Sequence, residues 1–325
     1  MSFYIKNIKI EGKVILAPMA GITSFSYRKF NKKFFNGLTY TEMISDCGLI
    51  YQNKKTFDMI HSDNSDRPLA LQLFGGSKES LLKAVEILEK SDKTYDILDL
   101  NLACPVPKVT KNNGGSSWLK DIESMKDMVK AIVEKSSKPV TCKIRLGINE
   151  SHVLEIAKAL EEAGCSFLCI HCRTKKELYN GFPHYEELKE LKNIIKIPFA
   201  VSGNIFTLED AKKAYEITKC DAIAVARGGI GHPLLIKNIE NYFAGKEEYF
   251  EENIDDQIRY LKEYSDLLVE ELGEERAVSI LRGIAPKFIS NFKNSKPVKN
   301  EICTTIKKIH DLFEILDKYR KSDNF

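Results

Sequence analysis

From the N-terminus to about residue 245, short runs of apolar and β-branched residues alternate with longer stretches whose apolar positions recur at helical spacing. Eight such runs are present: Val14–Met19, Leu38–Met43, Leu69–Phe74, Ile97–Asn101, Val140–Arg145, Phe167–Cys172, Pro198–Ser202 and Ala222–Ala226. Between them lie segments that read as amphipathic helices, among them Lys78–Lys90, Ile122–Lys135, His152–Ala163 and Leu208–Thr218. The runs are nearly continuous rather than alternating, as expected of parallel strands covered on both faces. Repeated strand–helix units predict an α/β fold, a closed (β/α)8 TIM barrel over residues 1–245. After Tyr249 the strand signal stops. Ile254–Leu272, Arg276–Phe292 and Glu301–Lys321 read as helices, separated by Gly273 and by a stretch with Asn294, Lys296 and Pro297, which predicts a small all-helical domain over residues 246–325.

Composition excludes more than it identifies. Of 325 residues, 43% are hydrophobic and 29% charged, with 49 Lys and Arg against 46 Asp and Glu, a globular composition that rules out collagen-like chains and disulfide scaffolds. The net charge of +3 points to no partner. The eight cysteines are scattered, half of them inside apolar runs, so a reducing, cytoplasmic setting is expected. The N-terminus, MSFYIKNIKIEGK, is too charged for a signal peptide, and no window approaches the ~18 apolar residues of a membrane span. No membrane partner is expected, and the chain reads as a monomer.

In a barrel of this kind the active site is built at the C-terminal ends of the strands. Those ends carry Pro18 to Gly21, Glu42, Gln72, Asn101 with Cys104, Lys143 with Arg145, His171 with Arg173, Ser202 to Asn204, and Arg227 with Gly228 and Gly229. Any one of them alone is ordinarily a turn or helix cap; the conjunction is not. Ser202, Gly203 and Asn204 after the seventh run and Arg227 to Gly229 after the eighth stand where such barrels bind phosphate, through glycine N–H groups, a helix N-terminus and a cation. Gln72 offers a donor and an acceptor to an amide-like ring edge, and Lys143 a positive charge that stabilises a reduced flavin anion. The cofactor these positions suit is FMN. No GxGxxG follows a strand, so NADPH is expected only as a transient reductant docking on the flavin's open face.

The segment Asn101 to Pro107, NLACPVP, places a thiol after the fourth run in a loop stiffened by two prolines, with no basic neighbour in sequence. That suits Cys104 to deliver a proton rather than to rest as a thiolate. The glycine- and serine-rich Lys111–Ser117 reads as a flexible continuation able to close over a substrate. Cys169 and Cys172 form a CxxC within a strand, where residues three apart point to opposite faces, so no metal site is expected there.

Together these motifs resemble the tRNA-dihydrouridine synthases, flavoenzymes that reduce uridine in tRNA. The residues carrying the resemblance are Ala17 to Gly21 (APMAG), Thr41 to Met43 (TEM), Gln72 with Leu73, NLACPVP, Lys143 to Arg145 (KIR), His171 to Thr174 (HCRT), Ser202 to Asn204 (SGN) and Arg227 with Gly228, in the family's order along the whole chain. The resemblance implies flavin contacts at Pro18, Met19, Ala20, Gln72, Lys143, His171, Ser202, Gly203, Asn204, Ala226 and Arg227. It makes Cys104 the proton donor and turns Asn101 and Arg145 towards the uracil of an extruded nucleotide. It further implies a ping-pong reduction in which NADPH reduces FMN, the flavin N5 gives hydride to uracil C6 and Cys104 protonates C5. The chain departs from the family where Asn-Gly-Asp is common and SGN stands here, and where Gly is common and Cys172 stands. The stretches Pro18–Ser24 and Gly231–Pro233 incline the resemblance to the bacterial B-type branch.

Charge is segregated in the helical region. Glu251–Glu275 holds ten acidic and two basic residues, whereas Arg276–Lys308 holds eight basic and one acidic. A charge run alone is usually a solvated helix face; joined to the barrel motifs it predicts a tRNA-binding surface that includes Arg282 and Lys287, although Leu281 to Lys287 (LRGIAPK) only partly reproduces the family's dense Arg-Lys-His cluster. Two other readings remain open at this level: a flavin-dependent dehydrogenase of a free pyrimidine, and a non-catalytic RNA-binding barrel protein.

Overall fold

The computed structural model describes residues 2–321. The chain opens with a hairpin the hydrophobic pattern does not announce, β1 (Ser2–Ile5) and β2 (Ile8–Glu11). Each of the eight expected runs then becomes a strand: β3 (Val14–Leu16), β4 (Thr39–Ser45), β5 (Leu69–Phe74), β6 (Ile97–Leu102), β7 (Val140–Arg145), β8 (Leu168–His171), β9 (Phe199–Ser202) and β10 (Ala222–Val225). All pair in parallel in chain order, with β10 beside β3. Leu16 N donates to Leu38 O at 3.0 Å, joining β3 to the residue before β4 and curling the sheet into a barrel.

The period-two alternation of a strand decides what faces the barrel axis. Inside lie Ile15, Tyr40, Ala70, Phe167, Cys169, Ala200, Ala222 and Ala224, small alanines filling between two large rings. Outside, Leu69, Leu71, Leu98, Leu100, Val140, Ile144, Ile170, Val201 and Val225 pack under the helices. Cys169 therefore faces in and Cys172 out. The hairpin plugs the lower end: Phe3 stacks on Phe167 with centroids 5.6 Å apart, and Ile5 and Ile10 are fully buried in the interior cluster. Burial of a side chain of that size stabilises by about 1.5–3 kcal/mol.

Helices between strands follow the pattern closely, at Lys78–Glu89, Ile122–Lys135, Val153–Glu162 and Leu208–Thr218. Among the described residues the C-terminal region holds four helices, not three: Ile254–Leu272, Glu274–Phe288, Ser295–Thr305 and Ile309–Lys321. The helix expected over Glu301–Lys321 is broken at Ile306, an extended, buried residue. Beyond it Asp311 Oδ2 accepts from Lys307 N and Lys308 N at 2.8 and 2.9 Å, capping a new helix. Pro297 sits in the first turn of Ser295–Thr305, where its missing N–H has no intrahelical role, so it starts a helix instead of separating two. These helices pack on Phe25–Asn31, the helix after β3. There Tyr264 meets Tyr27 edge-on at 5.8 Å and Phe288 lies 6.2 Å from Phe30.

Candidate active site at the barrel mouth

The upper strand ends enclose a cavity of about 480 Å³, within the size range of small-molecule sites. Of the residues assigned from sequence, Pro18, Met19, Ala20, Asn101, Cys104, Lys143, Arg145, His171, Ser202, Gly203, Asn204, Ala226 and Arg227 all line it. Among the described residues its wall includes Lys108, Lys143, Arg145 and Arg227 and no carboxylate. Four cations without a carboxylate create a field that attracts an anionic ligand.

Among the expected flavin contacts Gln72 is the exception. It is fully buried beneath the cavity floor, and both ends of its amide are engaged: Nε2 donates to Asp99 Oδ2 at 2.7 Å and Oε1 accepts from Asn101 Nδ2 at 2.7 Å. Asn101 in turn accepts, through Oδ1, from Cys104 N at 2.9 Å and Ala103 N at 3.2 Å. Asp99 and its other partner, Thr141 Oγ1 at 2.6 Å, were not singled out by the sequence reading. The signal was present, since Asp99 stands two residues before Asn101 on the same strand face, an acid inside an otherwise apolar run. Burial pushes the Asp99 carboxyl up to about 6, against the pull of its bonds to Gln72 and Thr141 and the charge of Lys143.

Cys104 is half-buried at the cavity rim. Its carbonyl accepts from Ser116 N and Ser116 Oγ, both at 3.0 Å. Gly115, at φ +57°, packs so closely that an added Cβ would lie 2.6 Å from that carbonyl. The stretch expected to be a flexible cover is thus partly a buttress: Gly114 to Ser117 are buried and lead into a 3₁₀ turn at Gly115–Lys120, leaving only Lys111 to Asn113 exposed. Glycine and serine serve close packing here, not mobility.

Arg145 and Arg173, each almost fully buried, staple the loop that follows β8. Arg145 donates to Ala103 O, Thr174 O and Leu178 O, all at 2.8 Å, so it clamps the Cys104 loop to that segment. Arg173 donates to Asn180 O at 2.8 Å, Gly181 O at 2.6 Å and Asn204 Oδ1 at 3.0 Å. Its Nη1 also lies 3.3 Å from His171 Nε2; a guanidinium only donates, so Nε2 accepts and the imidazole is neutral. Burial, reinforced by Lys143, Arg145, Arg173 and Arg227, drives His171 down to about 2. Lys143 makes no hydrogen bond or ion pair through its ammonium among the described residues, so its charge is available to the cavity.

Ser202, Gly203, Asn204, Arg227 and Gly228 converge on one side of the cavity. Gly228 is required by space: a Cβ there would stand 1.9 Å from Ile205 O. The helix after β9 takes less part than expected. Its first turn is closed by its own Thr207 and Asp210 in a capping box and carries Glu209 as well, charges that repel a phosphate. The half-exposed rings of Tyr179 and Phe206 stand beside Arg227, at 4.6 and 5.9 Å.

Beyond Phe206, Arg227, Gly228 and Ile230 the cavity continues into an open groove of about 650 Å³ that reaches the helical region at Lys287, Ser290 and Asn291. Lys287 is therefore brought to the site. Arg282 is not: its Nε and Nη2 donate to Ile306 O at 3.1 and 2.6 Å, tying two C-terminal helices together.

A parallel eight-stranded barrel with a cation-lined pocket at its mouth defines the α/β-barrel class, in which the strand ends carry the active site, and the charge of this pocket suits an anionic ligand. The family model for dihydrouridine synthase (Dus) matches residues 15–322, and the chain belongs to that family of flavin-dependent oxidoreductases. It is 30% identical over 317 residues to a probable tRNA-dihydrouridine synthase of Rickettsia bellii, covering 97% of this chain and 95% of that one. It is 32% identical to tRNA-dihydrouridine synthase B of Pseudomonas aeruginosa, over 84% of this chain and 82% of that one. Among solved structures, the old yellow enzyme homologue of Zymomonas mobilis superposes with a TM-score of 0.52 at 13% identity, over 79% of this chain and 95% of that one, a likeness of fold. No described helix is long and apolar enough to cross a membrane.

Proposed function

We propose that this protein reduces uridine in tRNA to dihydrouridine, with FMN as its flavin, NADPH as a transient reductant and Cys104 as the proton donor. The observation that carries the reading is the half-buried Cys104 thiol at the rim of a cavity lined, among the described residues, by cations and no carboxylate, its backbone fixed by Asn101 and Ser116. The residues fit the cofactor. Gly203, Asn204 and Arg227 with Gly228 would hold its phosphate, Lys143 would face the negative charge of its reduced ring, and Pro18, Met19, Ala20, Ala226, His171 and Ser202 would complete the walls. Gln72 would act from the floor. When bound, the flavin supplies the hydride. Cys104 holds and releases the proton on the substrate side, Asn101 and Arg145 orient the pyrimidine edge, and neutral His171 offers a hydrogen bond without adding charge.

A uracil can reach this pocket only after leaving its stack, at a cost of a few kcal/mol that contacts elsewhere must offset. Lys287, at the far end of the groove and within the basic segment Arg276–Lys308, suits the tRNA backbone. We accordingly divide the chain into a catalytic barrel over residues 1–245 and a tRNA-binding helical unit over 246–325, acting as a cytoplasmic monomer. The test is to map dihydrouridine in tRNA from cells lacking the protein, then after restoring the wild type or Cys104→Ala. Wild type should restore specific positions, and Cys104→Ala should not, while still purifying with flavin. Unchanged modification at every position on restoration would refute the proposal.

A further inference from the structure

We propose that Asp99 is a positioning residue for the Cys104 loop, acting through the amides of Gln72 and Asn101. The inference rests on the reading of Cys104 as proton donor and adds a fully buried residue that does not line the cavity. Asp99, Gln72, Asn101 and the Cys104 backbone form one directed hydrogen-bond chain along the inner faces of β5 and β6 and into the loop after β6. An ionised carboxylate only accepts, so Asp99 compels Gln72 to present Nε2 and to turn Oε1 towards Asn101. Asn101 must then donate through Nδ2, which leaves Oδ1 for the N–H groups of Ala103 and Cys104. Backbone N–H groups only donate, so the far end of the chain demands the same polarity that Asp99 imposes at the near end. Were Asn101 to flip, its NH2 would oppose two N–H groups in a buried site, and the loop carrying the thiol would have to move.

Asp99 itself is held from both sides. It is fully buried, Thr141 Oγ1 donates to its Oδ1 at 2.6 Å, and Thr141 and Lys143 stand level with Asp99 and Asn101 across the β6–β7 ladder. Lys143 thus lies close enough to favour the carboxylate's charge. An apolar residue would be the cheaper filling for this position; the acid is explained by the polarity it enforces.

The test compares flavin-loaded wild type with Asp99→Leu, which fills the space without an acceptor, and with Asp99→Asn, whose carbonyl can still accept from Gln72. Two readouts are taken: the rate of Cys104 alkylation by iodoacetamide, followed by peptide mass mapping, and single-turnover reduction of tRNA by pre-reduced protein. Asp99→Leu should change the alkylation rate at least threefold and slow the single-turnover rate constant roughly tenfold or more, with KM for tRNA and flavin reduction by NADPH unchanged. Asp99→Asn should recover most of both. Asp99→Leu combined with Asn101→Ala should be no slower than Asn101→Ala alone, since both cut one chain. Wild-type alkylation in Asp99→Leu, an equal loss in flavin reduction, or additive losses would overturn the inference. Should Asp99→Leu lack the wild-type unfolding transition, Gln72→Met cuts the chain at its middle and must alter Cys104 alkylation equally; wild-type alkylation there would overturn it too. A wild type that forms no dihydrouridine would sink the function proposed above, while the alkylation comparison would still decide the role of Asp99.

Discussion

Glu271, near the end of helix Ile254–Leu272, caps the helix that starts beside Ser26, at the opposite end of the chain. Its carboxylate accepts from Ser26 N at 2.8 Å, Ser26 Oγ at 2.5 Å and Phe25 N at 3.2 Å. Ser24, in the N-cap position of Phe25–Asn31, makes no side-chain cap, and the first turn has no acid of its own. A carboxylate at that end satisfies orphan N–H groups and the helix dipole together. Because Pro18 to Gly21 lead into the same helix, the contact links the helical region to a wall of the cavity. Glu271→Ala should lower stability by about 0.5–2 kcal/mol in urea unfolding and speed flavin loss on dilution. A variant that loses stability but keeps wild-type flavin retention would show that the cap does not reach the cavity wall.

Gly228→Ala offers a sharper local test. A methyl group there meets a backbone carbonyl at 1.9 Å, so the Arg227–Gly229 turn must shift away from the loop after β9. The variant should purify with little flavin, read as the ratio of visible to ultraviolet absorbance. Gly283→Ala is the control: nothing lies within 4 Å of its added Cβ, and it sits inside Glu274–Phe288. That change should leave flavin content alone and stabilise by about 0.5–1 kcal/mol.

The strands were legible because parallel strands under helices are written as continuous apolar runs, and the pocket because its residues come two or three at a time at the ends of those runs. Three things were not legible, each for a physical reason. The hairpin of Ser2–Ile5 and Ile8–Glu11 is four residues a strand and carries Lys9 and Glu11, so its apolar positions are too few to register. Gly114 to Ser117 have the composition of a mobile loop, and only the carbonyl of Cys104 above them reveals that small residues were needed for contact. A charge count cannot tell a cation already engaged from one that is available. Arg282 and Lys287 looked alike in sequence and differ because Ile306 O lies beside one of them.

Asp99 and His171 predict an unusual dependence of stability on pH. The folded protein holds the Asp99 proton up to about 6, so this group contributes stability below its ordinary value near 3.9 and loses it as pH rises towards 6. His171, held at about 2, acts oppositely: the unfolded chain takes up the proton first, and stability falls as pH drops below about 6.5. Both groups are buried, and over the interval from about 4 to 6 their slopes, each about 1.4 kcal/mol per pH unit, oppose one another. Asp99→Asn removes one of them. Relative to wild type, its urea midpoint should therefore begin to fall at a higher pH on acidification, near 6 instead of near 4. Parallel profiles for the two proteins would show that Asp99 does not titrate in this interval.

Arg282 and Lys287 should separate stability from tRNA affinity. Arg282 places two N–H groups on Ile306 O, at the break between the last two helices, so Arg282→Ala should destabilise by about 1–3 kcal/mol by leaving that carbonyl without its partner. Lys287 makes no hydrogen bond through its ammonium among the described residues, and it borders the groove that opens from the cavity past Arg227. Lys287→Ala should leave the unfolding midpoint and flavin spectrum unchanged while weakening tRNA binding. If Lys287 meets a phosphate, the slope of log affinity against log salt should become shallower by about 1. Filter binding of tRNA at several salt concentrations distinguishes the outcomes: a parallel salt line would mean that Lys287 touches no phosphate, and the cations to test next would be Lys293 and Lys296 in the same basic segment.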